Sequence, residues 1–332
     1  MNEEQVNALL AKLDLVGDEV GKVIVGQKDV VTQLLVSIMA GGHCLLEGVP
    51  GLAKTLMVST LSDTLELDFK RVQFTPDLMP SDIVGTEILE TDKNSGERFF
   101  KFQQGPVFTN ILLADEINRT PAKTQAALLE AMQEKHVSYG GKHYPLPRPF
   151  FVLATQNPVE QAGTYPLPEA QLDRFLMFIR VDYPSSLDEI EILKRTTGTY
   201  AAKPEQTLNA DEVIALQDLT RQVEIGEPLL QYVSDLVRST RTEGASIDEV
   251  IDYVRWGAGP RAGQALVLCA KAQALLNHRF AVTIADIQSI AHSVLRHRIL
   301  LNFKAEAEGV TTNTLIDALL KAVPKPQSAL SS

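Results

Sequence analysis

Residues 45–57 read LLEGVPGLAKTLM. An apolar run enters a glycine-rich turn, and the turn ends in Lys54-Thr55, where helical spacing begins. Strand, loop and helix in that order is the setting a phosphate-binding loop needs. Backbone N–H groups must approach phosphate oxygens closely, a lysine must meet their charge, and a hydroxyl must face a magnesium ion. Gly48, Gly51, Lys54 and Thr55 supply those parts, with Val49, Pro50 and Leu52 between them. One position departs from the generic pattern, which has glycine where Ala53 stands. Alanine is harmless there if the backbone is right-handed and costly if φ is positive. On spacing alone the loop reads first as functional, and the alternative is a strand-to-helix turn with an incidental lysine.

Working outward, Val6, Leu9, Leu10, Leu13, Val16, Val20, Val23 and Ile24 recur at intervals of three and four and predict an amphipathic helix ended by Gly26. A second helix is predicted over 28–40, broken by Gly41-Gly42, after which HCLLE reads as a buried strand feeding the loop. NILLADEIN (110–118) and FFVLATQNP (150–158) are two more short apolar runs that end in polar residues. Such runs, separated by helical stretches, predict a buried parallel sheet. Ligands on such sheets bind at the carboxyl ends of the strands, where Asp115, Glu116 and Asn157 fall together with the loop. The fold class expected is therefore α/β. Two hairpins interrupt it, at 87–102 with a polar turn around Asn94-Ser95-Gly96, and at 137–146 with Gly140-Gly141 as a two-residue turn.

Near YPSS (183–186) the strand-like runs stop and the chain becomes helical by pattern to about Leu301. A boundary there divides residues 1–184 from a helical unit at 185–322. The remainder, 323–332, is rich in Pro and Ser and reads as a disordered tail. A length of 332 residues suits two such domains. The net charge of −11 argues against non-specific nucleic-acid binding, because phosphate contacts dominate that affinity. Cys44 and Cys269 lie far apart and outside any metal-ligand spacing, as expected of buried residues in a reducing compartment. MNEEQVNALL does not resemble a secretory signal, and no apolar run approaches the roughly 20 residues needed to span a bilayer. Cytoplasmic localisation is the expectation.

The candidate residues divide by chemistry. An aspartate at a buried strand end, Asp115, suits magnesium, and the adjacent Glu116 suits general-base activation of water. Strand-plus-acid pairs are more often structural, and it is the position after the loop that strengthens this one. The carboxamide of Asn157 could orient the same water, though taken alone it reads first as a turn residue before Pro158. Arg174, in LDRF, suits neutralisation of charge on a γ-phosphate, or a surface ion pair with Asp173. Arg261, in GAGPRA, opens an apolar helix with proline in its first turn, or is a simple cap.

GVPGLAKT, LLADEINRTPAKTQAALLEAMQE, LATQNP, LPEAQLDRF and GAGPRA, in this order, closely resemble the MoxR family of AAA+ ATPases. The resemblance runs from VIVGQ (23–27) to LRHRILLNFKAEAEGV (295–310). Loops of that family often read G-x-P-G-x-A-K-T, so Ala53 fits the family though not the generic pattern. The resemblance implies a P-loop core with a parallel sheet flanked by helices, and a smaller all-helical lid. It implies ATP/ADP and Mg2+ as ligands, with Lys54 and Thr55 in Walker A and Asp115 and Glu116 in Walker B. Asn157 would be sensor 1, Arg174 the arginine finger and Arg261 sensor 2, tying the lid angle to the γ-phosphate. Val25, Gly26 and Gln27 would border the adenine. The hairpins would be the helix-2 insert and the pre-sensor-1 hairpin, with Phe99, Phe100 and Tyr139 as client contacts or as packing residues.

The resemblance further implies a homo-oligomeric ring, taken as a hexamer, whose finger serves the neighbour's nucleotide. Implied partners are a protein client and a protein with a von Willebrand factor A domain, in maturation or metal-cofactor insertion. A chelatase-type or DNA-linked motor, and a nucleotide-gated module with little turnover, are the alternatives. The six histidines show no ligand-like spacing. Arg296-His297-Arg298 is a small basic cluster, read as a surface or interface feature of the lid.

Overall fold

A computed structural model describes residues 2–91, 98–158, 163–198 and 202–326. The chain runs α1 (Glu3–Val23), α2 (Lys28–Ala40), β1 (Cys44–Glu47), α3 (Lys54–Thr64), β2 (Phe69–Gln73) and α4 (Pro80–Val84). A hairpin of β3 (Gly85–Thr91) and β4 (Arg98–Gln104) precedes β5 (Ile111–Asp115) and α5 (Ala122–Glu134). A second hairpin, β6 (His136–Tyr139) and β7 (Lys142–Pro145), leads to β8 (Phe151–Gln156), α6 (Glu169–Leu172) and β9 (Met177–Arg180). The rest is helical: α7 (Ser186–Thr197), α8 (Ala210–Gln222), α9 (Glu227–Ser239), α10 (Asp248–Tyr253), α11 (Pro260–Leu276), α12 (Ile284–Leu295), α13 (Phe303–Glu308) and α14 (Thr312–Ala322). Among the described residues the short β10 (Val254–Trp256) and β11 (Leu300–Leu301), paired antiparallel, are the strands that interrupt it.

Five strands form a parallel sheet in the order β2-β5-β8-β1-β9. Successive side chains leave a strand on opposite faces, so each strand feeds two cores. Leu45, Leu112, Val152 and Phe178 join α5 on one face. Cys44, Leu46, Leu113, Leu153 and Met177 join α2 and α3 on the other. That second cluster runs on without a break into α8, α9, α11 and α12. The helical half is thus distinct in secondary structure but shares its apolar core with the sheet. No described helix is long and apolar enough to cross a membrane.

The three inner strands are those visible as apolar runs. The outer two, β2 and β9, are not anticipated by the sequence. FKRVQ buries only Val72, because an edge strand has one covered side and admits Lys70 and Arg71. MFIR is four residues long and follows directly on the Asp173–Leu176 stretch.

Both hairpins form where expected, although the turn at Asn94-Ser95-Gly96 and the end of the tail lie outside the described residues. Gly140 and Gly141 both have positive φ, 56° and 76°, as a tight hairpin turn demands. The hairpins pack together through Phe102, whose ring lies 4.3 Å from that of Tyr144 and 5.2 Å from that of Tyr139. Tyr139 is therefore a packing residue. Phe100 and its cross-strand partner Leu89 stay 71% and 53% exposed, and Phe99 is also exposed.

Candidate functional site

The carboxyl ends of β1, β5 and β8 converge on a cavity of about 550 Å³. The phosphate-loop residues from Pro50 to Thr55, Asp115, Glu116 and Asn157 all line it. Asn157 directly follows β8, which lies between the strands of the loop and the acids, and is buried. Gly48 is required by space: a Cβ there would stand 2.9 Å from the carbonyl oxygen of Val181. Gly51 has φ +89°. Ala53 has φ +53° and ψ 26°, so the condition under which alanine is costly is the one met, at about 1 kcal/mol.

Lys54 begins α3, and its ammonium donates to the carbonyl oxygens of Gly48 and Val49. Burial lowers its pKa, and the charges of Asp115 and Glu116 oppose that shift. Asp115 Oδ1 accepts from Thr155 Oγ1 at 2.6 Å, and its Oδ2 accepts from Arg71 Nη2 at 2.7 Å. Glu116 is left-handed, with φ +57°, and its N–H donates to the same Thr155 hydroxyl at 2.8 Å. Its Oε2 accepts from Gln73 Nε2 at 2.7 Å and pairs with Arg119 Nε at 3.1 Å. One hydroxyl therefore ties the carboxylate of the first acid to the backbone of the second.

Sequence reasoning missed Thr155, Arg71, Gln73 and Arg119. Arg71 and Gln73 stand on the unanticipated β2, in register with Leu113 and Asp115. Thr155 stands in β8 two residues before Asn157, and alternation along that strand was the available signal.

Thr55 and Asp115 offer a hydroxyl and a carboxylate, the hard oxygen donors that magnesium takes beside phosphate oxygens. Among the described residues no cluster of three His, Cys, Asp or Glu could hold another metal. The donor set fits magnesium held jointly with a polyphosphate.

Val25, Gly26 and Gln27 follow α1. Gly26 and Gln27 line a second cavity of about 620 Å³ with Asp182, Tyr183 and Arg296. Gln27 Nε2 donates to the Asp182 carbonyl oxygen at 3.0 Å.

Arg174 and Arg261 are not in either cavity. Cys44 of β1 aligns with Met177 of β9, so residues 173–176 lie at the amino end of the sheet beside His43. The phosphate loop lies at the carboxyl end, roughly 13 Å of strand away at about 3.3 Å per residue. The structure instead brings the two arginines together. Both are exposed, and both line a cavity of about 200 Å³ with Asp173 between them and Arg298 behind. Arg261 Nη1 is 3.9 Å from Asp173 Oδ2, and Arg298 Nε is 2.8 Å from Asp173 Oδ1. Within one chain Arg261 therefore does not approach the loop it was expected to sense.

Residues 43–177 match the family model described as the ATPase family associated with various cellular activities (AAA), and residues 250–319 match that of an AAA lid domain. The chain is 44% identical to Chaperone MoxR1 of Mycobacterium tuberculosis, over 93% of its own length and 81% of that protein's. Protein MoxR of Paracoccus denitrificans is 31% identical, over 92% of this chain and 93% of its own. A crystal structure from Cytophaga hutchinsonii, provisionally described as an ATPase, superposes with a TM-score of 0.91 at 47% identity and covers 98% of both chains.

Proposed function

Because the chain belongs to the MoxR family of AAA ATPases and is an ATP-hydrolysing enzyme, we propose that it works as a chaperone-like remodeller of a protein client, in a cytoplasmic ring of six copies. One observation carries this: a hydrolytic site at one end of the sheet and two unabsorbed arginines at the other. Within one copy Arg71 and Arg119 are paired with Asp115 and Glu116, and a further cation for γ-phosphate charge arrives when one copy's amino end meets the next copy's carboxyl end. Such head-to-tail contacts close into rings.

ATP binds with its phosphates against the backbone of residues 48–55 and Lys54. Glu116 takes the proton of the attacking water, and Asn157 orients that water. Thr155 and Gln73 hold Glu116 in place for it. Arg174 of one copy meets the charge developing on the neighbour's γ-phosphate, and Arg261 beside it joins the same neighbour. Magnesium held by Thr55 and Asp115 neutralises phosphate charge when bound. Val25, Gly26 and Gln27 border the base.

Residues 1–184 and 185–322 are the two domains of each copy, joined through one continuous apolar core. The exposed Leu89, Phe99 and Phe100 of the first hairpin are the surface that pushes on a client. A protein with a von Willebrand factor A domain is the proposed partner, and maturation or metal-cofactor insertion the proposed task. The test is Glu116→Gln: it should abolish turnover while leaving MgATP binding intact. A variant that still turns over would remove Glu116 from the role of base.

A further inference from the structure

The tripeptide Arg296-His297-Arg298 follows α12 and touches both ends of the sheet. Arg296 lines the cavity of Gly26, Gln27, Asp182 and Tyr183. Burial, and then the like charge of Arg180, push its pKa down to about 10 against the charges of Glu47 and Asp182. Glu47 is the last residue of β1, immediately before the phosphate loop. Arg180 Nε pairs with Glu47 Oε2 at 3.4 Å, and the charges of Glu47 and Asp182 favour Arg296 as well, so whatever enters this cavity meets two guanidiniums at its rim.

Arg298 faces the other way and is buried. A guanidinium has five N–H donors, and here each is used. Nε donates to Asp173 Oδ1 at 2.8 Å; Nη1 donates to the carbonyls of Leu176, at 3.2 Å, and Val294. Nη2 donates to the carbonyls of Asp173, at 3.3 Å, and Phe175, at 2.7 Å. His297 adds a bond from Nε2 to the Phe175 carbonyl at 3.1 Å, and its ring stacks on Phe178 at 5.9 Å. Burial holds this imidazole well below its ordinary pKa, hence neutral, with the proton on the nitrogen that donates. The segment 173–176, clamped in this way, is the one that carries Arg174. Shifting it against the tripeptide would strand buried donors. The two pieces therefore move together.

We propose that Arg296-His297-Arg298 is a relay: Arg296 senses the base side of the subunit's own nucleotide, and His297 and Arg298 set the position of the Arg174 that serves the neighbour. This rests on the reading of Arg174 as a finger acting between copies. Arg296 Nε also donates to the His292 carbonyl at 3.0 Å in the last turn of α12, and its place beside Arg180 at the rim of the cavity is what joins the clamp to the base side. All three are positioning residues.

The test separates the two subunits. Glu116→Gln copies, which keep the finger but cannot hydrolyse, are mixed with Arg174→Ala copies, which keep the base but lack the finger. Turnover regained in the mixture comes from Arg174→Ala sites served by Glu116→Gln neighbours. Arg296→Met is then added to one component at a time. In the finger donor it should lower the kcat of the mixture about five-fold or more without changing KM for ATP, the size expected of a coupling between sites. In the acceptor it should instead raise KM. Arg298→Lys in the donor keeps the charge but not the five-bond fork, and should also lower kcat. Sedimentation and urea midpoints of each donor check that assembly and folding are kept. If complementation succeeds but donor Arg296→Met leaves kcat within about two-fold, or acts alike in either component, the relay is wrong and the finger stands. If the mixture regains no activity, both fall.

Discussion

Replacing Thr155 by valine keeps its shape and removes one hydroxyl. That hydroxyl donates to Asp115 Oδ1 at 2.6 Å and accepts the Glu116 N–H at 2.8 Å. Thr155 is fully buried, so no water substitutes on its side. Losing a hydrogen bond to a charged acceptor costs roughly 1.5–3 kcal/mol, and stranding a backbone N–H roughly 1–3 kcal/mol. Asp115 keeps Arg71 on its other oxygen, which favours the lower ends, and we expect a loss of about 3 kcal/mol. The backbone bond also holds Glu116 in its left-handed conformation, a state that costs a non-glycine residue about 1 kcal/mol or more. At least half the loss should therefore reach the transition state, lowering kcat about ten-fold or more. Thr155→Ser restores the hydroxyl and should recover both properties. Urea unfolding and steady-state ATP turnover measure them side by side. A Thr155→Val enzyme within about 0.5 kcal/mol of wild type, or no slower than Thr155→Ser, would show that the hydroxyl does not hold the acids.

Three further outcomes follow from the geometry. His43 accepts the Val152 N–H at Nδ1 and donates from Nε2 to Met132, an arrangement only the neutral ring can make, and burial lowers its pKa to about 4 from 6.5. The unfolded state then binds the extra proton as pH falls below 6.5, so stability should drop by about 2 kcal/mol between pH 7 and pH 5, with His297 acting in the same direction; urea unfolding that is flat over this range would contradict the assignment. At Ala53, glycine should be neutral within about 0.5 kcal/mol, because relieved strain offsets added chain entropy, whereas Ala53→Val should cost about 2 kcal/mol and weaken MgATP binding; equal behaviour of the two variants would remove the left-handed conformation from the account. Burial raises the pKa of Cys44 to about 12 and that of Cys269 further still; neither thiol should react with an aromatic disulfide reagent until the protein unfolds, and fast labelling of the native enzyme would show that the core is open.

What the sequence made legible follows from where apolar residues must be continuous. The three inner strands are buried on both faces, so β5 and β8 announce themselves and end at the residues that line the cavity. The edges β2 and β9 do not, and with β2 went Arg71 and Gln73. Thr155 was hidden because a buried threonine in a strand looks like β-propensity until its two partners are placed. The pairing of Arg174 with Arg261 was out of reach for another reason. It depends on how α11 packs against the amino end of the sheet, which no local pattern encodes. Arg298 was legible only as surface charge, since the carbonyls that consume its five donors come from a segment distant in the chain.

The central claim is that a complete site needs two copies. The direct measurement is steady-state MgATP hydrolysis per subunit over a wide range of protein concentration, with the same series for Arg174→Ala. The account predicts activity that rises steeply with concentration and collapses in the variant at every concentration. Activity per subunit that is constant with dilution and indifferent to Arg174 would contradict it, and would mean that each chain completes its site alone.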